Sequence, residues 1–441
     1  MKKELIGIII CMLLVGSVFP ISGQVINSNT VRENDEKFPL INGDKWIKTY
    51  GGPGMDYGKM VQITNDGCYI VAGDICIDPG DPPDYDGDWD YWLIKIDAMG
   101  DIIWDKTFSL YGYDICSAFR QTSDDGFILV GYSRGLVYPW DSAVWLIKTD
   151  KNGVKKWDKT YFEGGGCGRE DVIQTSDGGY AIILPDGHNE INIIRTNDTG
   201  DIIWDKKMIG IHFDNFADII KQTLDGGFII TGYKGNRAGI MLVKLDSDGN
   251  ILWEKTFVKG TNNYGVYSLQ LTNDGGYIIC GYLYGYPGIG QPEGTWIIKT
   301  DSEGELIWDS KIGSSTDDIV SFSVQQTIDN GYIIAGRTDP LFLEYDPVLI
   351  KVDSEGQVEW RKTFDYFRFD MVNSVQQTAD GGYIALGSVG RHFNSDLLLI
   401  KTDSEGNTVR NRAFNRPSSG LFEELINFFP ILKLLLQRLV E

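Results

Sequence analysis

The sequence is poor in the residues from which many catalytic and metal centres are built. Among 441 residues it has three histidines, His188, His212 and His392, which lie far apart along the chain. It has six cysteines without a Cys-x-x-Cys spacing or an adjacent Cys-Cys pair. These spacings predict no histidine-based catalytic pair, no zinc site and no disulfide framework. We therefore assign no catalytic residue.

Positive charge is also scarce. The chain carries 40 lysines and arginines against 62 aspartates and glutamates, and its formal net charge is −22 at pH 7. A negative field of this strength disfavours nucleic acid and anionic lipid surfaces as partners, and it favours cations or cationic partners. Solubility alone explains the same composition equally well.

One long uncharged apolar run occurs near the N-terminus. Lys2 and Lys3 precede residues 5–19, and small residues follow near Gly23. This order predicts a secretory signal peptide over 1–23, with an uncleaved anchor as the alternative, and 24–43 as a linker. The expected localisation is therefore secreted or cell surface.

A repeated turn and tryptophan dominate the rest of the chain. The pattern Asp/Asn-x-x-Gly occurs seven times, and its glycines lie 47 to 55 residues apart: Gly100, Gly153, Gly200, Gly249, Gly304, Gly356 and Gly406. Four residues after the glycine stands a tryptophan in six copies and Arg410 in the last. Units of this length with several short strands cannot bury their own sheets, so they must stack on one another.

Each copy has the pattern of four strands. In the fourth copy the extended segments are 216–223, 228–233, 240–245 and 250–257, joined by Asp-Gly turns. Apolar runs without polar alternation are typical of sheets that are covered on both faces. The sequence therefore predicts an all-β fold, a seven-bladed β-propeller of four-stranded antiparallel blades over 44–415. A sandwich and a parallel β-helix fit less well.

The segment 45–50 repeats the fourth-strand pattern ahead of the first full copy. It contains Trp46, whereas the equivalent C-terminal segment 408–413 has lost its tryptophan. We therefore expect 45–50 to close the last blade, which removes an exposed sheet edge and compensates the entropy of closing a long ring.

The string Ile-Lys-Thr-Asp-Ser-Glu-Gly-Glu-Leu-Ile-Trp at 298–308 resembles the tryptophan-docking motif of quinoprotein-like β-propellers. The whole unit resembles the secreted WD40-like and delta-60-type repeats of prokaryotes, over about 44–415. The turn is one residue shorter than the quinoprotein motif, and the spacing of sialidase Asp-boxes is absent. The resemblance implies a propeller, whose activity it leaves open. It also implies that the following tryptophans pack flat against the neighbouring blade: Trp46, Trp104, Trp157, Trp204, Trp253, Trp308 and Trp360.

Antiparallel order places the short Asp-Gly turns at one end of every blade, the tight-turn end. The longer connections, at 74–90, 132–143, 282–294 and 337–346, fall at the opposite, long-loop end. Variable loops on a rigid scaffold commonly carry binding sites, so we expect the ligand there. The alternative is that the aromatic side chains of these loops pack onto the blades. The candidate ligand-binding residues are Asp56, Asp114, Asp370, Tyr113, Trp140, Tyr284 and Tyr286.

The first long loop carries closely spaced aspartates. Asp84, Asp86, Asp88 and Asp90 lie on alternate residues around Gly87. Hard oxygen ligands on a tight turn suit Ca²⁺, although the spacing differs from that of an EF-hand. A solvated acidic loop is the alternative.

Lysine or arginine recurs in each third strand, and we expect these side chains to face the turn aspartates: Lys95, Lys148, Arg195, Lys244, Lys299, Lys351 and Lys401.

The last residues, 416–441, have a helical pattern. The apolar positions Leu421, Leu425, Phe428, Leu432, Leu435 and Leu439 are three or four residues apart. Pro430 divides the predicted amphipathic tail into two short helices. The tail is open to three interpretations: docking onto the propeller, contact of 421–440 with a membrane or partner, or a sorting signal.

These observations favour a binding scaffold for an extracellular glycan, peptide or protein. The alternatives are a quinoprotein-like or hydrolytic enzyme, and an envelope component assembled through its tail.

Overall fold

Every regular element that the structure describes is a β-strand. The computed structural model describes residues 45–52, 54–78, 88–135, 142–163, 170–185, 190–212, 219–234, 239–259, 263–284, 294–314, 319–338, 345–364, 370–391 and 394–409. They belong to one compact unit, 33–441. The predicted signal peptide, linker and C-terminal tail lie outside these residues. Within them, no helix is long and apolar enough to cross a membrane.

The strands follow one another as four-stranded antiparallel meanders. Meander 1 contains β2 (Tyr57–Ile63), β3 (Tyr69–Asp78), β4 (Asp88–Ile96) and β5 (Ile102–Phe108). Meander 2 contains β6 (Gly112–Gln121), β7 (Phe127–Gly135), β8 (Ser142–Thr149) and β9 (Lys155–Glu163). Meander 3 contains β10 (Asp171–Gln174), β11 (Tyr180–Pro185), β12 (Glu190–Thr196) and β13 (Ile202–His212).

Meander 4 contains β14 (Ile220–Gln222), β15 (Phe228–Lys234), β16 (Ile240–Leu245) and β17 (Ile251–Phe257). Meander 5 contains β18 (Asn263–Leu271), β19 (Tyr277–Tyr284), β20 (Gly294–Thr300) and β21 (Leu306–Ile312). Meander 6 contains β22 (Ile319–Gln326), β23 (Tyr332–Thr338), β24 (Asp346–Val352) and β25 (Val358–Thr363). Meander 7 contains β26 (Met371–Gln377), β27 (Tyr383–Arg391), β28 (Asn394–Thr402) and, from the other end of the chain, β1 (Trp46–Tyr50).

The first strands of successive meanders contact one another, and β2 contacts β26, so the described residues form a closed series. The closing strand β1 pairs antiparallel with β28, from Trp46 opposite Lys401 to Tyr50 opposite Leu397. The expected closure by 45–50 is thus confirmed. The architecture is all-β and propeller-like.

The apolar core lies between neighbouring meanders. One cluster joins Val61 and Trp92 of meander 1 to Leu386 and Leu399 of meander 7. All six residues of β16 and all seven of β20 are buried. This explains why these strands lack polar alternation: both faces of each sheet are covered, so hydrophobic burial at the joints stabilises the ring.

Each repeated tryptophan packs on the turn glycine of the next meander. These seven glycines have φ between +72° and +82°, and a Cβ added to any of them would come within 2.6–3.1 Å of an indole carbon. The indole also meets an aromatic ring of the next meander at 5.7–6.3 Å, inclined by 55–75°. The indole thus packs on the turn glycine of the neighbouring meander and meets an aromatic ring there at a steep angle. That it lies flat against the neighbouring blade stays a prediction.

The predicted pairing of third-strand cations with turn aspartates is confirmed. Lys244 Nζ lies 2.8 Å from Asp225, Lys299 Nζ 2.8 Å from Asp274, and Arg195 pairs with Asp177. The remaining pairs are Lys95–Asp66, Lys148–Asp124, Lys351–Asp329 and Lys401–Asp380. Each pair ties the third strand to the first hairpin of its own meander.

The strands at the long-loop end continue further than expected. The pairing of β3 with β4 extends to Asp78 opposite Asp88, so the connection predicted at 74–90 is reduced to 79–87. In the same way β7 reaches Gly135, β19 reaches Tyr284 and β23 reaches Thr338. Backbone pairing does not require apolar side chains, and it therefore continues past the apolar runs that marked the strands in sequence.

Candidate functional site

Three aromatic side chains meet at the long-loop end where meanders 1 and 2 touch. Tyr57 begins β2, Trp89 lies near the start of β4, and Tyr113 lies near the start of β6. They come together because β4 and β6 form a parallel bridge at Trp89 and Tyr113. We call Tyr57, Trp89 and Tyr113 the aromatic cluster.

Trp89 forms the buried back of the aromatic cluster. Its ring stacks on Tyr57 at 5.6 Å with an angle of 4°, and it meets Tyr113 at 6.3 Å and 54°. Trp89 is 4% exposed, whereas both tyrosines are partly exposed. Stacked and tilted rings of this kind form a rigid surface, because aromatic side chains have few rotatable bonds.

Two cations flank the aromatic cluster. Lys59 Nζ lies 5.8 Å from the centre of the Tyr57 ring, and the Arg134 guanidinium lies 4.2 Å from that of Tyr113. Lys59 also pairs with the buried Asp74 at 3.0 Å. Burial disfavours the charge on Lys59, but the Asp74 carboxylate outweighs this and raises the pKa of Lys59 above its ordinary value. Lys59 is therefore charged at neutral pH.

Buried carboxylates also connect successive meanders. Asp74 of meander 1 accepts a hydrogen bond from the Cys116 amide of meander 2 at 2.7 Å. Arg120 of meander 2 donates to Asp171 of meander 3 at 2.8 Å, and Asp171 accepts the Ile219 amide of meander 4 at 2.9 Å. Each of these buried carboxylates receives a backbone donor from the next meander, which ties neighbouring meanders together.

The predicted ligand-binding aspartates are buried. Asp56, Asp114 and Asp370 are all 0% exposed. Asp56 accepts the Cys76 amide at 2.9 Å, Asp114 the Leu110 amide at 2.6 Å and the Ser133 hydroxyl, and Asp370 the Gly390 amide at 3.3 Å. Their oxygens thus hold loop backbone in place, and they do not share one open surface.

Of the predicted aromatic residues, Tyr113 joins the aromatic cluster. Trp140 and Tyr286 lie outside the described residues, and Tyr284 ends β19. Sequence reasoning missed Tyr57, Lys59, Trp89 and Arg134. A signal was present in the string Tyr57-Gly58-Lys59, because a charged side chain in a first strand is unusual in a buried sheet.

The predicted calcium ligands are divided between loop and strand. Asp84 and Asp86 lie outside the described residues, whereas Asp88 and Asp90 belong to β4. Asp90 is 8% exposed, and burial, reinforced by Asp88, raises its pKa. Among the described residues no three His, Cys, Asp or Glu side chains are grouped for a metal ion. The calcium site stays a prediction.

A pair of carboxylates lies beside the closing segment. A Cβ added to Gly51 would meet both Asp396 and Asp56, which places these side chains next to each other. Burial raises the pKa of Asp56 to about 7 from an ordinary 3.8, and Asp396 and Asp74 add to this, against hydrogen bonds from the Gly52 and Cys76 amides. Asp56 therefore keeps its proton in the folded protein under mildly acidic conditions.

This proton makes stability depend on pH. Between pH 3.8 and about 7 the folded state binds a proton that the unfolded chain releases, so the free energy of unfolding falls as the pH rises. We expect Asp56→Asn to reduce this slope by up to about 1.4 kcal/mol per pH unit. Urea unfolding from pH 5 to 8 measures it. The exposed Asp201→Asn is the control and should leave the slope unchanged; equal slopes in all three proteins would contradict the assignment.

Neither the family models nor the curated proteins that were searched match this chain. Solved structures do resemble it. An ulvan lyase, a polysaccharide lyase, has a TM-score of 0.54 at 9% identity, covering 84% of this chain and 97% of the lyase. A lectin from Burkholderia pseudomallei has a TM-score of 0.51 at 9% identity, and the match covers 81% of this chain and 98% of the lectin. The Pan2 WD40 domain of Neurospora crassa has a TM-score of 0.50 at 12% identity, and the match covers 84% of this chain and 98% of that domain. At these identities the likeness shows the propeller-like fold alone.

Proposed function

We propose that this chain is a seven-bladed β-propeller in which each meander is one blade, and that it binds a ligand at the long-loop end. The ligand class is an extracellular glycan, peptide or protein. The observation that carries the proposal is the aromatic cluster flanked by Lys59 and Arg134. Rigid aromatic rings beside charged hydrogen-bond donors are the usual elements of a specific polar-ligand site.

The local charge supports this choice. The chain as a whole is strongly acidic, yet Lys59 and Arg134 each lie beside a partly exposed tyrosine of the cluster, with Lys59 also paired to Asp74. Such donors bind hydroxyl, carbonyl or carboxylate oxygens, which glycans and peptides both offer. Among the structural neighbours, one is a lectin and one is a polysaccharide lyase. Glycans are therefore the first ligand class to test.

The binding test uses the full chain on a glycan array and a peptide array, followed by affinity measurements with the best ligand. We expect Arg134→Gln to weaken binding tenfold or more, because a hydrogen bond to a charged group contributes about 1.5–3 kcal/mol. The control is Lys206→Gln, a cation that likewise lies over an aromatic ring, with its Nζ 5.8 Å from Trp204, but on the outer strand β13. Equal affinities of the two variants would exclude the aromatic cluster as the site.

The proposal includes export, to the cell surface or beyond. It is tested by fractionating cells that express the full chain and determining the N-terminus of the mature protein. Cleavage near Gly23 is expected, and an intact N-terminus on cytoplasmic protein would contradict it.

A further inference from the structure

Glutamines connect most neighbouring meanders at the tight-turn end. In five of the joints, the places where two successive meanders meet, a glutamine stands at the end of the first strand of the later meander. Its side chain accepts the backbone amide of the residue that follows the turn threonine of the earlier meander: Asn65 to Gln121, Ser123 to Gln174, Ser176 to Gln222, Asn273 to Gln326 and Ile328 to Gln377. In the joint between meanders 7 and 1, Gln376 instead accepts the Ile63 amide at 2.7 Å. These contacts fill the space between adjacent hairpins.

The joint between meanders 4 and 5 lacks both glutamines. Leu271 occupies the strand position at which five other joints have the accepting glutamine. Lys221 occupies the position equivalent to Gln376, which makes the contact in the joint between meanders 7 and 1. At this joint the surface has a groove of about 620 Å³ lined by Leu224, Leu252, Leu271, Trp253, Tyr277 and Glu303, among others. We call it the leucine groove.

The leucine groove exposes apolar side chains to solvent. Leu224 is fully exposed, Leu252 is 56% exposed and Leu271 is 38% exposed. A cluster of leucines at the mouth of a groove is unfavourable in water, and such surfaces commonly mark an interaction site. The groove volume is within the range of ligand-binding clefts. An apolar segment would remove these side chains from water.

The last described residues of the chain lie near the same end. The turn Asp403–Gly406 is the tight turn of meander 7, in which Asp403 donates its amide to the Asn407 carbonyl at 2.9 Å. Residues 407–409 follow it, and 410–441 come next in sequence. Residues 410–420 reach roughly 35 Å when extended. Sheets pack about 10 Å apart, so meander 5 lies on the order of 20–30 Å from meander 7.

We propose that residues 419–441 of the same chain occupy the leucine groove. The apolar stripe Leu421, Leu425, Phe428, Leu432, Leu435 and Leu439 supplies the hydrophobic surface that the groove lacks. The groove carries the carboxylate of Glu303 beside the Asp225–Lys244 ion pair, and the tail carries Lys433 and Arg438 in its second half, with Glu423 and Glu424 in its first. Intramolecular docking is favoured over capture of a separate segment because the tail is tethered at the same end of the ring.

Hydrogen exchange of the full chain tests this docking. We expect the backbone amides of 421–440 to be protected, and Leu271→Gln to reduce that protection at least tenfold. This variant introduces the glutamine that five other joints already contain, so the fold should tolerate it. The matched control is Ile63→Gln, which makes the same change in the joint between meanders 7 and 1. It should leave the tail protected.

A second pair of variants separates release of the tail from misfolding caused by the substitution itself. Leu252→Gln changes a side chain that is already 56% exposed, and Ile103→Gln changes the equivalent residue of meander 1, which is 51% exposed. Only Leu252→Gln should release the tail. The proposal is overturned if the tail is unprotected in the unaltered protein, or if Leu271→Gln and Leu252→Gln leave it protected. It is also overturned if protection appears only at high protein concentration or only with lipid vesicles, which would assign the tail to a second copy or to a membrane.

Discussion

Gly356→Ala is expected to destabilise the protein by about 2–5 kcal/mol. Gly356 has a φ of +78°, which costs an L-residue about 1–2 kcal/mol. Its added Cβ would also lie 2.6 Å from Cζ3 of Trp308, an indole that cannot move away because it is held between two meanders. Overpacking of this kind costs a further 1–3 kcal/mol or so. Denaturant unfolding measures the sum.

The control separates backbone strain from collision. Gly67 has the same φ of +78°, but a Cβ added there has no heavy atom within 4 Å. Gly67→Ala should therefore cost about 1–2 kcal/mol, the conformational part alone. If both variants lost the same stability, the glycines would serve the turn only, and tryptophan docking would not explain their place in the repeat.

Removal of the closing strand is expected to have a still larger effect. A chain that begins at Gly51 should fail to fold as a stable monomer, whereas a chain that begins at Lys45 should be as stable as the full protein. The lost strand buries Trp46, Ile47 and Tyr50, which are 2%, 2% and 8% exposed. Burial of three such side chains contributes roughly 5–9 kcal/mol, comparable with the whole stability of many domains.

The hydrogen bonds of this strand strengthen the expectation. Trp46 Nε1 donates to the Ala98 carbonyl at 2.9 Å, and the Tyr50 hydroxyl donates to the Gly100 carbonyl at 2.7 Å. Without β1, the edge of β28 would be open to other chains, so aggregation is expected. Solubility, light scattering and thermal melting compare the two chains. A soluble monomer beginning at Gly51 that melts within a few degrees of the longer chain would refute this role.

Much of the fold could be predicted because it depends on short sequence windows. The Asp-x-x-Gly turn forms locally: the Asp246 side chain accepts the amides of Asp248 and Asn250 at 2.9 and 2.8 Å. The cation of each third strand pairs with an aspartate about 20 residues earlier, as Lys244 does with Asp225. Closure by β1 could be predicted because its sequence repeats that of the other fourth strands.

The candidate site could be predicted only in part. Tyr113 was identified, but Tyr57 and Trp89 stand 56 and 24 residues before it, and nothing in their local sequence shows that the three rings meet. Asp56, Asp114 and Asp370 stand at the long-loop end in sequence, which is why we expect them to bind ligand there. In the structure they are buried, since the backbone amides of adjacent loops need acceptors.

The sequence alone determined the repeat, the antiparallel meander and the pairing of cations with turn aspartates, because each of these depends on hydrogen bonding and hydrophobic period within about one repeat. It also identified the closing strand, because β1 repeats the fourth-strand sequence although its partner β28 is distant along the chain. Only the tertiary structure decided which side chains from different meanders meet. The aromatic cluster and the leucine groove both lie at joints, where the neighbours are set by the stacking of sheets around the ring. The leucine groove forms where leucine replaces the repeated glutamine, and only because two hairpins face each other at that joint.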